Sequence, residues 1–67
     1  MTSKQDVTAA AAAAAVAAGE HLVNVAAQYG PDAPETQQTS AYTDRVVDMA
    51  ESVGCTSADY ENARNTR

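Results

Sequence analysis

From Val7 to Tyr29 the apolar positions Val7, Ala11, Ala14, Ala18, Leu22, Val25 and Tyr29 follow one another in steps of three and four residues. That spacing draws a continuous stripe along an α-helix, because residues three and four apart share a face. A second row, Ala9, Ala12, Val16, Val23 and Ala27, runs along another side. Apolar surface therefore covers more of the circumference than in an ordinary amphipathic helix, and two partners can pack on it at once. The run Ala9 to Ala15 strengthens the same reading, since alanine loses least on entering a helix. Ser3 and Asp6 have the spacing of a capping box at the start, and Gly30 with Pro31 stops the pattern after Tyr29. These signals predict a first helix over about 4–29. Gly19 interrupts it at a penalty of about 1 kcal/mol relative to alanine, which makes it either a close crossing point or a tolerated accident.

The connection GPDAP, residues 30–34, is short, so the next helix is expected to fold back antiparallel. Asp32 and Glu35 repeat the capping spacing, and Pro34 falls in a first turn, where its missing amide does no harm. The stretch TQQTS, Thr36 to Ser40, is polar and poor in anchors, and reads as solvent-facing or frayed. Beyond it Tyr42, Val46, Met49, Ala50 and Val53 form a helical stripe that ends at Gly54, predicting a second helix over about 35–53. Thr56 and Asp59 give a third capping spacing, with Tyr60 and Ala63 as inward positions and Arg64 and Arg67 near the negative end, so a short third helix is expected over about 57–65. No segment alternates as a half-buried strand would. The expected fold is all-α: a single small domain over 1–67, built as an antiparallel helical hairpin whose short third helix makes a helix-turn-helix-like corner.

That corner, Met49 to Arg64, reads MAESVGCTSADYENAR. It resembles a helix-turn-helix unit, with Ala50 as the small residue at the crossing, Gly54 at the turn, Cys55 as the small apolar residue after it, and Tyr60 and Ala63 facing inward. The same spacing occurs in bihelical corners that never touch DNA. If it were a DNA-binding unit, the resemblance implies that the last helix would enter the major groove and present Ser57, Ala58, Glu61, Asn62 and Asn65. Asn62 and Asn65 would then read adenine edges, and Arg64 and Arg67 would meet phosphates.

Charge weighs against that use. The 67 residues carry a formal net charge of −5 with only four Lys and Arg in total, which gives little counterion-release energy. Asp44, Asp48 and Glu51 lie on adjacent turns of the second helix with no basic residue four positions away, either as a solvated face or as a contact for a basic partner. The core must be thin: there is no Trp, Phe or Ile, and Leu22 is the only leucine. A chain so poor in bulky side chains is marginal alone and gains from a second copy or a larger partner. Tyr29, Tyr42 and Tyr60, the only aromatics, serve either as core or as interface anchors.

Chemistry is sparse. Cys55 is the only cysteine and His21 the only histidine, so no intrachain disulfide and no pattern of metal ligands is present in the sequence. Glu20 and His21 are consecutive and point about 100° apart on a helix, so they do not share an acid–base site. The glycines are too scattered to cradle a phosphate. The apolar run from Val7 to Ala18 is shorter than the ~20 residues of a membrane span, and Asp6 and the lack of leucine speak against a secretory signal. The sequence thus leads to a non-enzymatic helical assembly or interaction protein with no cofactor, cytoplasmic or part of a phage or virus particle. It would pack through the alanine-rich faces of its first helix against itself or a larger protein. The alternatives are the helix-turn-helix module and an acidic inhibitor that fills a basic groove through Asp44, Asp48 and Glu51.

Overall fold

The computed structural model describes residues 3–66. It contains three helices, α1 (Lys4–Tyr29), α2 (Pro34–Ser52) and α3 (Ser57–Asn65), and no strand among the described residues. The fold is the all-α hairpin with a short third helix. Both α2 and α3 pack against α1, α2 meeting it at Ala18 and the α3 segment at Thr8, Ala9 and Ala13. The two apolar rows of α1 thus have a structural use. Although the chain turns sharply between α2 and α3, these helices rest on α1 rather than on each other.

Local chemistry places the ends. At α1 the Ser3 hydroxyl accepts from the Asp6 amide at 3.1 Å and the Asp6 carboxylate accepts from the Ser3 amide at 3.3 Å, a reciprocal capping box. Thr56 and Asp59 repeat it at α3. Asp32 and Glu35 do not make the third box. The N-cap of α2 is Ala33, without a side-chain cap, because Pro34 holds the residue before it extended (φ −67°, ψ 148°) and so sets the boundary. The end of α2 is a Schellman turn: the Gly54 amide donates to the Glu51 carbonyl and the Cys55 amide to the Ala50 carbonyl. Gly54 takes φ 95°, which that closure requires and other residues resist.

The core is a seam of small side chains. Ala12 and Ala50 are 0% exposed, and Ala15, Ala18, Val25 and Ala63 are also buried. Thr8, Thr36 and Thr43 are buried with them. Thr36 contradicts the reading of TQQTS as solvent-facing, for its hydroxyl donates to the Gly30 carbonyl at 2.6 Å and ties α2 to the turn. Thr43 places its hydroxyl 2.8 Å from the Thr39 carbonyl and 3.3 Å from the Ala18 carbonyl of α1. A threonine whose hydroxyl is satisfied by carbonyls behaves in a seam as a small apolar residue, presenting its methyl to the neighbour.

Candidate functional site

The buried register of α1 runs through Thr8, Ala12, Ala15, Ala18 and Val25, with Leu22 half-buried. Of the stripe read from the sequence, Ala18, Leu22 and Val25 face inward, Ala11 is half-buried, and Val7, Ala14 and Tyr29 are exposed. On α2, Val46 and Val53 are half-buried, while Tyr42 and Met49 are exposed. The inward line there is Thr36, Thr43 and Ala50.

The helical step of about 100° per residue places the exposed members. Around Ala15, one flank of α1 carries Val7, Ala11, Ala14, Ala18, His21 and Val25, and the other carries Ala9, Val16, Gly19, Val23 and Ala27. Around Thr43, one flank of α2 carries Tyr42, Val46, Met49 and Val53, and the other carries Asp44, Val47, Asp48 and Glu51. In an antiparallel pair, corresponding flanks lie on the same side of the hairpin. The structure fixes which flanks meet: Val16, Gly19 and Val23 line a groove together with Val47 and Glu51, closed at one end by Tyr60 and Arg64 of α3. Tyr42, Val46, Met49 and Val53 therefore share the opposite, open side with Val7, Ala11 and Ala14.

The hairpin thus has two unlike faces. On the open face stand four large apolar side chains, Val7 (39% exposed), Tyr29 (51%), Tyr42 (58%) and Met49 (66%), with His21, Glu35 and Arg45 near its margins. The other face holds α3, the groove and the acidic row. Val23, 67% exposed, stands on that side, where Val16, Val47 and Tyr60 are half-buried. Gly19 marks no close crossing, since a Cβ there would meet nothing within 4 Å.

Cys55 and Tyr60 tie α3 to α1. The Cys55 thiol donates to the Thr8 carbonyl at 3.2 Å. Burial, and then the Asp59 carboxylate, push its pKa above the usual thiol value. The Tyr60 hydroxyl is buried without a hydrogen-bond partner. Its pKa too is raised, first by burial and then by Cys55, Glu51 and Asp59. At neutral pH both side chains are therefore held in the protonated form. Among the described residues no three of His, Cys, Asp and Glu converge as metal ligands. Asn62 and Asn65 are exposed on α3, with Asp59 and Glu61 on the same helix, and Arg67 lies outside the described residues.

By length and composition α1 is able to cross a membrane, which is weak evidence because core helices and N-terminal signal sequences share those properties. Its apolarity is largely that of alanine. Comparison of the chain with protein-family models, curated proteins and solved structures returns no match.

Proposed function

We propose that this chain is a small assembly protein, and that the open face of the α1–α2 hairpin is covered by a second copy. The observation that carries the reading is the sorting of side chains. Small residues fill the internal seam, whereas Val7, Tyr29, Tyr42 and Met49 are gathered outside on one face. Scattered apolar residues on a surface need no explanation, but large ones sorted to one side of a hairpin whose seam is built of small residues do.

The exposed area leaves room for a contact of ordinary size. A folded monomer of 6.9 kDa is expected to expose about 4,000 Å² by the usual scaling with mass. This chain exposes 4731 Å². The excess, about 700 Å², is spread over the whole surface of an elongated molecule with a thin core. The molecule measures 41 × 22 × 19 Å, so its broad side is large enough to supply such a contact. One acid and one base, Glu35 and Arg45, lie near this face, so apposing two copies brings no block of like charge together.

The test is mass in solution, by light scattering or sedimentation equilibrium over a wide concentration range. The wild-type chain is expected to form a discrete oligomer. Replacing Tyr42→Lys and Met49→Lys together should return the monomer with its helicity unchanged, since both side chains are exposed and lysine is a good helix former. Ala18 is unsuitable for such a test because it is buried against α2. A wild-type chain that stays monomeric at millimolar concentration, or a double variant with wild-type mass, would refute the proposal.

A further inference from the structure

The two contacts that α1 makes are built unequally. Along α2 the seam is long, with Thr36, Thr43 and Ala50 buried seven residues apart and the Thr43 hydroxyl reaching the Ala18 carbonyl. Along α3 it is short. Ala63 is the one buried residue of that helix's nine, and alanines at Ala9 and Ala13 face it from α1, so little apolar area is removed from water. A cleft of about 180 Å³ between those alanines and Asp59, Asn62 and Thr66 leaves one flank of the contact unfilled. Tyr60 brings bulk to the contact, but docking buries its hydroxyl without a partner, a loss that release to water removes.

The junction before α3 supplies a place to open. The Gly54 amide donates to the Glu51 carbonyl and the Cys55 amide to the Ala50 carbonyl, so α2 closes without help from α3. Thr56 and Asp59 cap α3 from within, so α3 begins without help from α2. Among the described residues no backbone hydrogen bond spans the junction of Cys55 and Thr56, and a swing there breaks none. We propose that α3 is a releasable strap: it leaves α1 as a unit, pivoting between Cys55 and Thr56, while the α1–α2 hairpin stays folded. The Cys55 thiol, 3.2 Å from the Thr8 carbonyl, fastens the pivot itself to α1. Release therefore moves the helix and leaves the turn in place. It uncovers the side of α1 that carries Ala9 and Ala13, and it melts α3, since nine residues are too few to hold a helix without packing.

Amide hydrogen exchange of the full chain, followed by NMR through a series of urea concentrations below the unfolding transition, tests the strap. The Glu61, Asn62 and Ala63 amides are expected to share one protection factor, at least tenfold below that of Ala18, Val25 and Thr43, with little dependence on urea because little surface is exposed. Protection equal to that of the seam would overturn the proposal, since α3 would then open only with the whole molecule. Values more than tenfold apart among the three α3 amides would also overturn it, because fraying from the end and not release of a unit produces such a gradient. Ala63→Glu, which sets a charge where the strap docks, should abolish protection in α3 and leave the Thr43 amide protected. A variant that lost both together, or failed to fold, would refute the independence of the hairpin. Tyr42 and Met49 lie on the other face, so the strap and self-association can each fail alone.

Discussion

Replacing Gly19 by alanine tests the description of α1 directly, because two effects of opposite sign are available and the structure decides between them. If Gly19 sat at a close helix crossing, a methyl group would collide and the fold would weaken. If it sits in open helix, alanine narrows the unfolded ensemble and supports the helical conformation, a gain of about 1 kcal/mol. The ideal Cβ position at Gly19 has no heavy atom within 4 Å, so neither clash nor new packing contributes, and the propensity gain stands alone. For a domain of this size, 1 kcal/mol corresponds to a rise in Tm of about 4–8 °C.

Thermal unfolding followed by circular dichroism, at dilutions where the mass is that of a monomer, measures it. Gly54→Ala is the companion variant: its nearest neighbour is Lys4 Cε at 3.7 Å, so space is available, but φ of +95° strains any L side chain. It should therefore destabilise by roughly 1–2 kcal/mol, the usual penalty for left-handed backbone. A Tm that fell or stayed constant in Gly19→Ala would refute the open-groove description and place some part of the molecule against that position.

Thr43 separates packing from hydrogen bonding. Its hydroxyl shares one proton between the Thr39 and Ala18 carbonyls, which lie within helices and keep helical amides as partners, so removing the hydroxyl orphans neither. Thr43→Val should then change stability by under about 0.5 kcal/mol, the lost hydrogen bond being offset by a more apolar side chain, whereas Thr43→Ala, which also removes the methyl, should cost about 1 kcal/mol or more by urea unfolding. The raised values of Cys55 and Tyr60 give an alkaline limb. Each group holds its proton more tightly folded than unfolded, so their contribution is intact below pH 9 and is lost as pH rises past 9 and 10 and through the raised values. The urea midpoint should be flat from these groups at neutral pH and fall above pH 9. Tyr60→Phe should lessen that fall and leave the neutral midpoint unchanged or higher, since it removes an unpartnered hydroxyl. A midpoint falling as steeply in the variant would exclude Tyr60 as a cause.

Helix ends were readable from the chain because their signals are local. Ser3 with Asp6, and Thr56 with Asp59, need only one turn of helix to recognise each other, and Gly54 needs only its own backbone. Asp32 with Glu35 had the same spacing but failed, because Pro34 dictated the conformation of Ala33. Faces were harder to read. Periodicity identifies the buried side of a helix through contrast in size and polarity, and between Ala9 and Ala15 there is none. The eye then follows Val7 and Tyr29, which the fold leaves outside. On α2 the same habit favours Tyr42 and Met49 over Thr36 and Thr43, although the threonines satisfy their hydroxyls on nearby carbonyls and pack as small residues. Neither the groove nor the meeting of two exposed stripes on one side was accessible before the buried register of α1 and α2 and the position of α3 were known.

The same substitution of small for large explains why one chain presents two different surfaces. A seam of alanine and threonine places α1 and α2 in contact without using their bulky side chains, so Val7, Tyr29, Tyr42 and Met49 remain available to the open face. Had leucines filled the seam, the hairpin would be more stable alone and would have less reason to associate. Charge is sorted as well, with the acidic row of α2 on the flank away from Tyr42 and Met49 and only Glu51 of it at the groove. Asp44, Asp48 and Glu51 thus stay exposed on the side away from the open face.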